Sequence, residues 1–407
     1  MNNSGERGAL GLERRPTLVF QREELNLSNT IHWVVIDYIR NDPEAQRIKN
    51  KLQSNPNISS NQTVRTGLKS GGGLSFDDVL IWYIYYANEY SEDAADIALE
   101  EYYQGSTFEA LMCLWICGIM IEEKVDLGDG YHICPLEELP ISSDRERFRT
   151  EVGDIGFDHP VCAVVAKICV DKSNQNDGKP HIKTYDRLHE ICKLLSLINE
   201  VTCSPIMQSL YPLNCPISFL RGGGELYLRQ PMLKPIVNLS PANIRELKGL
   251  MAAIQTLDSS KRSLLNRSVG RLMRAKHGDF LGDQFLDLSI ALEMLLLNDN
   301  SSHVQLALSF RLHGALLMGD DLSSRMRIQD MLSDIYTQRS SMAHAGAMTN
   351  RKKCKYSKKS DKSWEILIEE FLTLGEDIIK KIILNGLPNW GELRLGGVTD
   401  EENLNEA

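Results

Sequence analysis

Arg339 and His344 are of types and at a spacing that suit chemistry together; Arg271 and His277 offer a similar spacing, and the ordered context favours the first pair. Arg339 and His344 stand in Tyr336-Thr-Gln-Arg339-Ser340-Ser-Met-Ala-His344-Ala-Gly346. A histidine titrates near neutral pH and can take or give a proton. A guanidinium is a fixed cation whose fork of donors fits phosphoryl oxygens. If the chain cleaves RNA, the pair suits a route in which the RNA's own 2′-OH attacks the adjacent phosphorus and leaves a 2′,3′-cyclic phosphate. That route needs no metal and no cofactor. Ser340 and Tyr336 fall in line with His344 at i−4 and i−8 on a helix. The Ser340 hydroxyl can orient the imidazole or a phosphate oxygen; packing on the helix face is the other reading for both residues.

Two long apolar helices must position this group. Residues 279–297 are apolar almost all round, which predicts a central buried helix. The second helix spans about 322–345 and stops at Gly346, a natural helix end. Each carries one charge in an apolar row: Glu293 among Leu286, Ile290 and Leu297, and Arg339 among Ile328, Leu332, Ile335 and Met342. A charge on a core-facing row must be paired, hydrogen-bonded or functional. Pairing of Glu293 with Arg339 is therefore expected. It can hold Arg339 for catalysis, or it can be architecture alone. On an ideal helix Arg339 and His344 lie about 140° apart, so one chain has trouble aiming both at a single phosphate.

Seven of the twelve residues from Arg351 to Lys362 are basic, and the run begins seven residues after His344. Lys352, Lys353 and Lys355, with Lys358 and Lys359, are candidates to grip phosphates, and Tyr356 to stack on an unpaired base. A flexible solvated connector is the competing reading. Arg267, Arg271 and Arg274 share a helix face and are expected to pair with Asp279, Asp283 and Asp287; extending the basic surface is the other reading. Asp320 and Asp321 read as helix-start residues. The glycine triplets 71–73 and 222–224 lack a following Lys-Ser/Thr and read as turns.

The ordered set Leu288-Ser-Ile-Ala-Leu-Glu293-Met-Leu-Leu, Arg311-Leu-His-Gly-Ala-Leu-Leu-Met-Gly319 and Tyr336-x-x-Arg339-Ser340-x-x-x-His344 resembles the Apea-like branch of the HEPN superfamily. The resemblance covers residues 240–384. The family departs from this chain in placing Gly directly after the His, where Ala345 stands here. The resemblance implies an all-α bundle and, as in many members, metal-independent endoribonuclease activity. It implies homodimers or higher homo-oligomers, with two such helices facing across a two-fold axis to complete one site. It also implies a toxin-like or antiviral defence setting, with a protein trigger or antitoxin as a possible partner. A non-catalytic module that dimerises and binds RNA, nucleotide or a partner protein is the alternative. In a third reading, Tyr336 or Ser340 is the target of a partner nucleotidyltransferase.

The remaining sequence sets the frame. A length of 407 residues suggests two or three domains. A net charge of −10 excludes a global electrostatic attraction to nucleic acid, so an RNA site must be a local basic patch. Nine cysteines without zinc spacing, and no export signal, suggest a reducing cytoplasm. Cys113 and Cys117 read as buried thiols at i, i+4 of an apolar helix. The longest apolar run, 111–121, is too short to span a bilayer as a helix, so no membrane partner is expected. The expected fold class is α+β overall and mainly α. A disordered tail (1–23) precedes an N-terminal helical region (24–125), with helices at 24–50, 76–103 and 107–123. A mixed α/β region (126–239) follows, with strands near 161–170, 204–210 and 225–229 and a helix at 184–200. The HEPN-like helical domain (240–390) has helices at 241–257, 261–275, 279–297, 302–318, 322–345 and 363–385. An acidic tail (391–407) closes the chain.

Overall fold

The computed structural model describes residues 42–59, 76–139, 145, 148, 161–171, 179–198, 201–213, 225–226, 236–298 and 305–394. The readings of 1–23, of 24–41, of both glycine triplets and of the tail after 394 lie outside the described residues. The described residues are mainly helical, with one antiparallel sheet and a two-stranded pair. The chain divides into two compact units, Met1–Cys192 with Ser204–Asn238, and Lys193–Cys203 with Leu239–Ala407.

The first unit opens on helices α1 (Pro43–Gln53), α2 (Pro56–Ser59), α3 (Phe76–Glu89) and α4 (Glu92–Gln104). Asp42 starts α1 by accepting from the backbone of Glu44 and Ala45, with Pro43 in the first turn, where its missing N–H costs nothing. Ala45, Ile48 and Leu52 of α1 pack with Ile81, Tyr83 and Ile84 of α3 and Ala95 and Leu99 of α4. At the margin of this core Lys51 binds the Tyr83 hydroxyl, Glu92 and Asp96. Arg47 and Lys51 hold the Glu92 carboxyl down at about 2.

The stretch expected to be a helix at 107–123 is a strand, β1 (Thr107–Cys117), followed by β2 (Ile119–Met120). The region 24–125 is therefore not all helical. The physical reason is that a short apolar run fits a buried strand as well as a buried helix. Here β1 is an interior strand of a six-stranded sheet, flanked by β5 (Cys162–Asp171) and β6 (Ser204–Pro212). Its burial alternates at first, exposed at Thr107 and Glu109, and is complete from Ala110 onward. Cys113 and Cys117 are buried, but on a strand. Their period-2 register puts them with Trp115 on one face, in the same core cluster. The Trp115 indole donates to the Tyr211 hydroxyl at 3.0 Å. Strands β3 (Val125–Gly128) and β4 (Tyr131–Pro135) complete one edge and β7 (Glu225–Leu226) the other. The helix expected at 184–200 is α5 (Lys179–Leu195). β8 (Val237–Asn238) pairs in parallel with β2.

Among its described residues the second unit has helices and no strand. Its helices are α6 (Pro241–Gln255), α7 (Ser259–Lys276), α8 (Leu281–Leu296), α9 (Leu306–Met318), α10 (Leu322–Ala345), α11 (Trp364–Asn385) and the short α12 (Trp390–Arg394). Ser240 caps α6 in a reciprocal box with Asn243, and Asp321 caps α10 in one with Ser324. α8 is the central helix and touches α7, α9, α10 and α11. Its core row is Phe285, Leu288, Leu292 and Leu295, all fully buried. Helices approach closely where a side chain is missing. A Cβ at Gly314 would lie 2.3 Å from a methyl of Leu332, and one at Gly282 would lie 2.3 Å from the methyl of Met342. No described helix is long and apolar enough to cross a membrane.

Candidate active site

The last turns of α10 carry all four proposed catalytic and supporting residues on that helix. The helix runs through Ala345 and stops at Gly346, whose φ of 62° is the left-handed conformation glycine takes without strain. The Gly346 amide closes the end on the Met342 carbonyl at 3.0 Å. The residue between His344 and the glycine is thus simply one more helical residue.

Arg339 meets Glu293 of α8, as the two rows suggested. Nε and Oε1 are 3.2 Å apart, a charge contact without hydrogen-bond geometry, and Nη2 reaches Oε2 at 3.5 Å. The rows themselves need correction. Leu286, Ile290, Glu293 and Leu297 form the half-buried face of α8, not its core face, and α10 is deeply buried only over 331–335 and at Gln338. The pair therefore sits at the margin of the bundle, with the side chains 33% and 20% exposed. Burial lifts the Glu293 carboxyl above the ordinary glutamate value, and Arg339 pulls it back in part. A raised carboxyl costs stability as pH climbs from the unfolded value through the folded one.

The Arg339 guanidinium also lies 5.9 Å above the Tyr336 ring, which packs 5.7 Å from Phe310. Arg339 is thus held between a carboxylate and an aromatic face. His344 is exposed on the last turn and makes no hydrogen bond or ion pair among the described residues. Ser340 is half-buried and does not hydrogen-bond the imidazole. The fold brings Arg339, Glu293 and Tyr336 together. It turns His344 away from Arg339, as the 140° between positions five apart requires, and Ser340, the next residue after Arg339, hydrogen-bonds none of these side chains among the described residues.

The marginal position lowers the cost of unpairing Arg339. Glu293→Ala is expected to lose about 1–3 kcal/mol, below the range for a fully buried pair. A urea-melt double-mutant cycle with Arg339→Ala should show the double variant losing less than the sum of the singles. Strict additivity would mean the pair contributes no mutual stabilisation.

The basic run is not a free connector. It begins with a 3-10 turn at Arg351–Lys353 and has another at Ser357–Lys359. It lies back along α10 in the antiparallel sense. Ser341 donates to the Ala347 carbonyl, and Gln338 exchanges hydrogen bonds with the Thr349 backbone. Asp334 accepts from residues 355–357, and Lys359 pairs with Asp330 at 2.7 Å. These steps cover about 16 Å of helix. Lys352, Lys353, Lys355 and Lys358 remain exposed, and no ion pair among the described residues takes them. Tyr356 is committed elsewhere: its hydroxyl binds Glu370 at 2.6 Å, and its ring lies against Phe371 and beneath Arg327. That packing argues against the base-stacking role expected for it.

Of the three arginines on α7, Arg271 pairs with Asp287 at 2.7 Å and Arg274 approaches it at 3.9 Å. No ion pair among the described residues takes Arg267, Asp279 or Asp283. Three anchoring contacts escaped the sequence: Asp334, Gln338 and His313. The spacing Asp330, Asp334, Gln338, Ser341 was the available signal, a polar row facing the basic run. Fully buried His313 bonds the Leu296 carbonyl, accepts from Arg394 at 2.7 Å and stacks on Trp390, fastening α12 to α9.

Comparison with protein-family models, with curated proteins and with solved structures finds no match.

Proposed function

We propose that the second unit is a metal-independent endoribonuclease of the HEPN type, with His344 as proton carrier and Arg339 as the cation facing the phosphorane. The observation that carries the reading is the grouping along the C-terminal half of α10. An exposed imidazole, a guanidinium held by Glu293 and Tyr336, and a pinned row of exposed lysines lie along one helix. In this reading Glu293 fixes the Arg339 rotamer, and Lys352, Lys353 and Lys355 hold flanking phosphates. Ser340, next to Arg339, faces a phosphate oxygen. Because one chain has trouble aiming both residues at one phosphate, a second copy of α10 completes the site across a two-fold axis in this reading. The toxin-like or defence setting, and a trigger read by the first unit, belong to the same proposal, as does a cytoplasmic location.

One observation favours the second reading, a non-catalytic dimerising module. Arg339 already has a carboxylate and an aromatic partner inside its own chain. Purified protein incubated with total RNA in EDTA separates the two. Cleavage is the expected result. Intact RNA from a protein shown to be dimeric would leave binding alone.

A further inference from the structure

Asp334 is a buried carboxylate that the proposed chemistry does not use. It is 1% exposed, on the face of α10 turned to the basic run. No cation neutralises it among the described residues. Instead it gathers donors from one short segment. The Lys355 amide reaches Oδ1 at 2.6 Å, and the Ser357 amide and hydroxyl each reach Oδ2 at 2.7 Å. The Tyr356 amide adds a fourth bond at 3.1 Å. Three successive amides on one carboxylate form a tight backbone cradle. One turn further along α10, fully buried Gln338 holds Thr349 and the Cys354 thiol.

The segment so held is the most basic in an acidic chain. Seven like charges within twelve residues repel one another, and such a run left to itself would stay extended and solvated. Asp334 supplies the opposing interaction. Its neighbour Asp330 does something different: it is half-buried and pairs with Lys359 at the surface, subtracting one cation from the array. The two aspartates are one turn apart on the same helix, yet one organises the cations and the other masks one.

We propose that Asp334 is the positioning residue for polyanion binding: it folds the basic run back onto α10 and fixes Lys352, Lys353, Lys355 and Lys358 as a preorganised array for the phosphates of single-stranded RNA. This rests on the RNA reading above. A fixed array binds more tightly than a floppy one because less freedom is lost on binding. The sign of the effect is diagnostic. Removing a negative charge beside a phosphate site should strengthen binding if charge alone matters. Removing a positioning residue should weaken it.

The test uses the full chain and a short oligouridylate with every 2′-OH methylated, which cannot cleave itself. Affinity is read by fluorescence anisotropy across a salt series. Asp334→Asn is expected to bind about 10-fold more weakly, with a shallower slope by about two phosphate contacts. Asp330→Asn, which releases Lys359, is expected to bind at least as tightly as the wild type. Asp334→Asn binding as tightly as Asp330→Asn would overturn the positioning role while leaving RNA binding intact. Salt-independent or absent binding by the wild type would overturn the RNA reading, and this inference with it. Should Asp334→Asn lose the wild-type helical melt, Ser357→Ala replaces it. That variant removes one of the four bonds and should weaken binding about 3-fold. Wild-type affinity in Ser357→Ala would then overturn the proposal.

Discussion

Replacing His344 with alanine is expected to lower RNA cleavage by at least about 10²-fold, the usual contribution of a general acid or base. The structure makes this a clean experiment. His344 is exposed on the last turn of α10 and bonds nothing among the described residues, so the substitution should shift stability by no more than about 0.5 kcal/mol. A loss of activity without a loss of stability then reports chemistry. Arg339→Ala should lower cleavage as far, but it also unpairs Glu293 and uncovers Tyr336. Arg339→Lys is the sharper probe. It keeps the charge against Glu293 and loses the fork that fits phosphoryl oxygens. Cleavage should stay near the alanine level while stability recovers. Wild-type turnover by His344→Ala would remove the imidazole from the mechanism.

The largest effect on stability is expected at a pair that this chemistry does not use. Lys276, at the end of α7, is buried with Glu376 of α11, 2.7 Å from its Oε1. The same ammonium donates to the carbonyls of Ser196 and Val201 at 2.7 and 2.6 Å. It therefore ties the segment Lys193–Cys203 to two helices of the second unit. Burial keeps the Glu376 carboxyl above its ordinary value even with Lys276 beside it. Lys276→Met should cost about 3–5 kcal/mol, because it leaves a buried carboxylate without its paired cation. Adding Glu376→Leu should recover part of this, but the two carbonyls would still lack their donor. Urea melts followed by the helical signal measure both. A single-variant loss under about 1 kcal/mol would mean the pair does not hold that segment.

The sequence made the helices of the second unit legible because their starts and stops carry their own chemistry. Ser240-Pro241, Asp321 with Ser324, and Gly346 each satisfy backbone groups that a helix end leaves open. It made Glu293 and Arg339 legible as a pair, since two lone charges in apolar rows need each other. It misplaced how deep that pair lies, because periodicity gives a face but not which face turns to the core. The strand at Thr107–Cys117 was misread for a related reason. An interior strand covered on both faces loses the alternation that marks a strand, and Leu111-Met-Cys-Leu-Trp-Ile-Cys117 has none. The anchoring of the basic run was hidden because Asp334 works through backbone amides, which carry no residue type. Tyr356 shows the reverse. Its type suggested base stacking, but contacts with Glu370, Phe371 and Arg327 use the ring within the fold.

The chemistry of the cut ends tests the account most directly. Wild-type protein and His344→Ala, each in EDTA, are incubated with the same RNA, and the new termini are identified. Attack by the RNA's own 2′-OH predicts 2′,3′-cyclic phosphate on one fragment and 5′-OH on the other, formed by the wild type and not by the variant. Fragments ending in 3′-OH and 5′-phosphate, or ends formed equally by His344→Ala, would contradict cleavage by Arg339 and His344.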